Sequence, residues 1–324
     1  ENSIWMAIRR PDGYVGKPIE TGTKAFSISA GDVSGAPLFD AGHVVDMQMV
    51  RRADISASWE TGARLLGTKQ VYTNTNGAET EIDSTGWKYD YMNGWHTNAG
   101  TAASGTYSWM WARHAGFDVV TYKGDGVAGR QIPHSLNKTA EMMWVKRRDG
   151  AGDWSVYHKG LNGGTNPETR TMYLNDPDAE YTQVTFNNTA PTSTHFTVGS
   201  AAYINGDGND FIAMLFASVD GISKVGSYTG NGGSSTQTVT LGFAPRFILI
   251  KRADANEHWL VLDTTRGWVS GGDSKFIYLQ SNAAQGNLAT SSVGVTPTST
   301  GVEISGTQGF ANTNSGNYLY YAHA

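Results

Sequence analysis

The phrase RRADISASW at 51–59 returns as KRRDGAGDW at 146–154 and as KRADANEHW at 251–259. A chain that writes one phrase three times must repeat an architecture, because each copy asks for the same local structure. In every copy the second basic residue (Arg52, Arg147, Arg252) is followed two positions later by Asp54, Asp149 and Asp254, and five further on by Trp59, Trp154 and Trp259. An apolar strand recurs as well: SIWMAIRR from Ser3, YSWMWARH from Tyr107, FIAMLFAS from Phe211 and NYLYYAHA from Asn317. Aligning Met6, Met110, Met214 and Leu319 gives steps of 104, 104 and 105.

With four such strands and three boxes, residues 1–13 read as the closing strand of an upstream module. Modules then follow at 14–116, 117–221 and 222–324. The missing initiator Met fits a processed product or part of a longer polypeptide. A rival explanation is a first strand that crosses over to pair elsewhere, as in ring folds. A period near 104 is more than twice the roughly 40–50 residues of a propeller blade, which favours three sandwich-like modules in a row.

Strand patterning supports an all-β class. AEMMWVKR places Met142, Trp144 and Lys146 on one face and Met143, Val145 and Arg147 on the other. RFILIKR at 246–252 is apolar on both faces until its last two residues, as in a central strand covered on both sides. Gln48 breaks the corresponding run and predicts a half-exposed strand in the first module. DWSVYHKG and HWLVLDTTRG follow after a few turn residues, giving hairpins whose loops contain the Asp of the box. Gly, Asn, Ser and Thr clusters every 8–12 residues mark short strands, and no stretch longer than about ten residues keeps a capped helical period. The expectation is three tandem β-sandwich modules, jelly-roll or lectin-like, of about 104 residues each, with roughly seven or eight strands apiece.

Composition narrows the partners. A formal charge of −5 without a basic block argues against nucleic acid, and no apolar run approaches a spanning helix. Absence of cysteine excludes disulfides and thiolate metal sites. GDGVAG at 124–129 matches a dinucleotide fingerprint, yet Pro133 follows where a helix should open, so a hairpin turn is the reading. NGDGND at 205–210 begins like a calcium loop but has Phe216 at the twelfth position, where a bidentate Glu is required. The histidines stand apart, without metal-ligand spacing. A glycosidase would need two carboxylates, and Asp149/Asp153 or Asp254/Glu257 has no counterpart in the first module. The reading is therefore a non-enzyme without cofactor or metal.

The box itself admits two readings. Its Trp residues could be sugar-stacking platforms beside the Asp residues. Alternatively, the Trp fills a core while the Asp neutralises the adjacent Arg, which the repetition at one topological place favours. Ligand sites are then expected in less repetitive loops such as 85–105, 161–170 and 201–210.

MAIRRPDGYVGKP at 6–18, GRQIPHSL at 129–136, EMMWVKRRDGAGDWSVYHKGLN at 141–162, NNTAPTSTHFTVGS at 187–200, SKVGSYTGNG at 223–232 and APRFILIKRADANEHWLVLDTTRG at 244–267 together resemble a known repeat. It is the repeated module of virion and tail-fibre structural proteins in marine tailed, cyanophage-like bacteriophages. The likeness covers nearly the whole chain and is weakest over about 60–105. It implies a virion protein in a tail fibre or similar surface appendage with a host-adhesion role. It further implies other virion proteins as partners, self-association into a homo-oligomer such as a trimer, and a host surface glycan as ligand. A capsid decoration or head fibre, or a secreted carbohydrate-binding array, is the alternative. The family supplies no catalytic residues to transfer.

Overall fold

A computed structural model describes residues 19, 21–31, 35–82, 86–97, 102–113, 115–288 and 293–324; the strand expected at 1–13 lies outside the described residues. The fold is all-β, and among the described residues the two α-helices, Gly22–Ala25 and Ala202–Asn205, are single turns.

Three six-stranded antiparallel sheets share one strand order. The second runs Phe117–Lys123, Asp210–Phe216, Met142–Arg147, Ser155–His158, Arg170–Tyr173, Tyr181–Thr182. The first runs Phe26–Ser29, Thr106–Trp111, Met47–Arg52, Glu60–Ala63, Lys69–Tyr72, Thr80–Glu81. The third runs Ser223–Thr229, Asn317–His323, Phe247–Arg252, Leu260–Asp263, Ser274–Tyr278, Gly286–Leu288. In each, the strand leading into the box is flanked by the recurring apolar strand and by its own hairpin partner. Small sheets accompany them: Phe39–Asp40, Gly94–Thr97 and Trp87–Lys88; Arg130–Pro133 with His195–Val198; and Gln237–Thr240, Gly301–Gly306 and Val293–Pro297.

Pairing register corrects the alignment of the recurring strand. Met49, Trp144 and Leu249 lie opposite Trp109, Met214 and Tyr321, so those three residues correspond. Met110 is therefore one position away from equivalence with Met214, and Leu319 two away from Tyr321. Both faces of this strand are buried, so apolar identity does not reveal a slip of register.

Alternation along the strands separates two kinds of core. Met142 and Trp144 enter a central cluster, whereas Met143 and Val145 pack in an outer one with Ile132 and Phe196 of the small sheet. Phe247 and Leu249 divide from Ile248 and Ile250 in the same way. Gln48 departs from expectation: it is fully buried on the outer side, and its Oε1 accepts the Tyr89 O–H at 2.5 Å. The phenol satisfies the amide oxygen, while Gln48 Nε2 is buried without a hydrogen-bond partner.

All three sheets contribute to the central cluster, including Trp59 and Trp111, Trp154 and Phe216, Trp259 and Tyr321. Phe26 lies 5.1 Å from Phe247, and Phe216 4.8 Å from Tyr321, centroid to centroid. Backbone bonds tie the joints in a cycle: Ala57 N–H to Asn282 O, Gly152 N–H to Asn76 O, and Glu257 N–H to Pro177 O. The first sheet holds the third, the second holds the first, and the third holds the second. Each sheet has its own outer core, but the expectation of sandwiches in a row gives way to a closed arrangement with threefold pseudo-symmetry.

This core contains neutral imidazoles. His158 accepts the Gly160 N–H on Nδ1 at 3.0 Å, so its Nε2–H is the group left to face Tyr320 O at 3.2 Å. Burial lowers the pKa of His158 to about 4 and that of His323 to about 3. An unfolded imidazole takes up its proton near its ordinary 6.5, so stability falls as pH drops below that value. The loss continues until pH passes the folded values. At pH 5 it amounts to roughly 2 kcal/mol for each histidine. Urea midpoints at pH 7 and pH 5 measure it, and equal midpoints would contradict burial of the neutral rings.

Candidate functional site

The box residues are drawn into the joints. Arg52 reaches Asp54 at 2.7 Å, Arg147 reaches Asp149 at 2.9 Å and Arg252 reaches Asp254 at 2.9 Å. These pairs are partly exposed and fasten the turn that follows each strand. The Arg52 bond lowers the pKa of Asp54; at Asp149 and Asp254 partial burial opposes the shift, and the arginine bonds with backbone donors outweigh it.

Trp59, Trp154 and Trp259 are 0%, 0% and 2% exposed, which closes these positions to sugar stacking. Their indole N–H groups cross to the neighbouring sheet, donating to Tyr278 O at 2.9 Å, Tyr72 O at 2.9 Å and Tyr173 O at 3.0 Å. The three acceptors end the same strand in each sheet. Sequence reasoning missed the first basic residue of the box, which crosses the same joints. Arg51 donates to Ser281 O at 3.0 Å, Lys146 to Asn76 O at 3.3 Å and Lys251 to Pro177 O at 2.8 Å. Burial pushes Lys146 and Lys251 down to about 8 and Arg51 down to about 10. The signal was legible: Lys146 falls on the face of Met142 and Trp144, so a charge was entering the core side.

The other sequence motifs are structural as well. After GDGVAG the chain forms the strand Arg130–Pro133, with no helix for a pyrophosphate. Asn205 of NGDGND donates to Asp125 Oδ1 at 2.8 Å and Val127 O at 3.0 Å, bracing that turn. Among the described residues no three His, Asp or Glu side chains gather as a metal site. Asp153 accepts from Asn175 Nδ2 at 2.8 Å, a structural bond beside the box.

A cavity of about 280 Å³ opens in the first sheet's outer layer, lined by Phe39, Glu60, Trp87, Trp95 and Thr97 among others. Three of these belong to the 85–105 stretch. The register explains why the first sheet has room for this cavity. Glu60 pairs with Val50 as Ser155 pairs with Val145 and Leu260 with Ile250. Thus a Leu that packs the third sheet's outer core is replaced here by a carboxylate. Gly62 corresponds to Tyr157 and Leu262, and a Cβ on it would stand 1.9 Å from the Trp87 ring. The missing side chain is the space that Trp87 occupies. Among the described residues Glu60, exposed at the mouth of the cavity, has no hydrogen-bond or ion-pair partner, and partial desolvation by the cavity walls raises its pKa. A second cavity, about 470 Å³ beside Tyr173, Tyr181 and Asn256, includes Glu180, whose carboxylate already accepts the Asn162 N–H at 2.6 Å.

Importing the third sheet's residue tests this account. Because Glu60 is exposed at the cavity mouth, Glu60→Leu is expected to change stability by no more than about 0.5 kcal/mol, read as a nearly unchanged urea midpoint at unchanged slope. A lower midpoint would show that the carboxylate is structural.

No curated protein and no solved structure matches the chain. A domain of unknown function, DUF7483, matches residues 40–324, a span that includes the leading strand of every box. A match over this share of the sequence places the chain in the DUF7483 family.

Proposed function

We propose that this chain is a structural and adhesive protein of a tailed-phage virion surface, part of a tail fibre or similar appendage. It acts by binding, not catalysis. The observation that carries the reading is the departure of one sheet from the repeat: where the others carry Ser155 and Leu260, the first opens a cavity at Glu60. Repetition maintains the joints, and divergence creates a place for a ligand.

The chemistry of the cavity favours binding. Glu60 is the sole titratable acid among its described lining residues, whereas glycoside hydrolysis ordinarily needs two carboxyl groups about 5–10 Å apart. The resemblance of its phrases to phage virion modules supplies the setting, in which the chain meets other virion proteins, self-associates and contacts a host surface glycan. A closed, cysteine-free β fold suits that setting, because its stability comes from packing and does not depend on disulfide formation in the host cytoplasm.

A cryo-EM map of the parent particle, deep enough to place this chain, tests the proposal. Density in a tail appendage is the expected result. Density on the capsid would overturn the fibre assignment in favour of decoration, and absence from the particle would favour a secreted binding protein.

A further inference from the structure

We infer that the Glu60 cavity takes a compact ammonium group, such as the amine of an unacetylated amino sugar, and discriminates against neutral and anionic ligands. The inference rests on the adhesion reading, since it takes this cavity as the point of contact.

Three observations lead to it. The first is charge: the described lining holds one carboxylate and neither lysine nor arginine, so nothing compensates an anionic sugar. The second is the state of that carboxylate. Glu60 stands exposed at the cavity mouth above apolar walls, without an internal partner among the described residues, and partial desolvation raises its pKa. A ligand cation would supply the missing counter-charge, a gain that a neutral hydroxyl does not match.

The third is shape. Phe39 and Trp95 are 1% exposed and Trp87 is 7% exposed, so the rings offer edges and narrow strips and not a broad platform. A flat pyranose face needs such a platform; a small cation beside aromatic walls and a carboxylate does not. Trp87 and Trp95 stand against each other edge-on at 5.4 Å, and Trp95 stacks on Phe39 at 4.7 Å. That packing fixes the walls before a ligand arrives and limits the ordering cost of binding. Because the contact is charge to charge, affinity should fall as acidification protonates Glu60.

The experiment is titration of the full chain near neutral pH with glucosamine, glucose and ethanolamine, followed by ligand-observed NMR. The same titrations are repeated on Glu60→Gln, with its thermal transition checked for folding. Glucosamine and ethanolamine should both bind at least tenfold more tightly than glucose, and Glu60→Gln should remove that preference. Tighter binding of glucosamine than ethanolamine would assign the amine to a sugar, and the reverse order to a simpler amine; either supports the ammonium site. Glucose binding as tightly as glucosamine, unaffected by Glu60→Gln, would overturn the charge selectivity while leaving adhesion through a neutral sugar. Binding of none of the three would overturn this cavity as the contact, whereas an off-particle location of the chain would overturn the adhesion reading itself.

Discussion

Asp263→Ala is expected to lower folding stability by about 3–5 kcal/mol, because it strands a buried cation. Asp263 is fully buried and accepts Arg266 Nε–H at 2.6 Å, the Arg266 backbone N–H at 2.9 Å and Trp109 Nε1–H at 3.2 Å. Arg266 is 3% exposed, with its guanidinium 5.3 Å from the Trp109 ring. Removing the carboxylate leaves the Arg266 charge without its counter-ion, with only the Nη2 bond to Val261 O at 3.2 Å, and the Trp109 indole donor without a partner, at the joint between the third and first sheets. A double variant, Asp263→Ala with Arg266→Met, removes both charges and should recover much of the loss. Chemical denaturation of the wild type, both single variants and the double variant closes the cycle. If the single variant costs less than about 1 kcal/mol, water has reached the pair and the joint is not sealed.

The same position shows what the repeat conceals. Register equates Asp263 with His158 and Ala63, three chemistries at one place in three sheets. No spacing rule aligns an Ala with an Asp, so the sequence made these residues unremarkable. The strand alternation at Met142–Arg147, the box hairpins and the Arg–Asp pairs were legible, because each follows from local periodicity or a two-residue reach. Closure of the ring was not. Its acceptors are backbone carbonyls of Tyr72, Tyr173 and Tyr278 and of loops carrying Asn76, Pro177 and Ser281, and a carbonyl leaves no signature in residue type. The candidate site fell between these cases. Weak repetition over 60–105 pointed to the stretch that supplies much of the cavity lining, but Glu60 becomes conspicuous only once it is aligned with Ser155 and Leu260.

Trp154→Ala should show how far the closure extends. Loss of a fully buried indole from the shared core is expected to cost about 3–5 kcal/mol. Trp154→Phe should cost roughly 1–3 kcal/mol, since it keeps most of the ring but removes the stronger donor of Tyr72 O, leaving the Thr75 N–H at 3.4 Å. An exposed stacking platform would instead tolerate either change within about 0.5 kcal/mol. The form of the transition is as informative as its size. Three independent sandwiches would unfold in separate steps, with only the second displaced by the variant. Here Trp154 lies in one cluster with Trp59 and Trp259, and each of the three donates to the next sheet around the cycle. Loss at one joint therefore weakens the neighbours that depend on it, and calorimetry should record one transition moving as a whole. Two or more transitions, with a single one shifted, would show that the shared core does not couple the sheets.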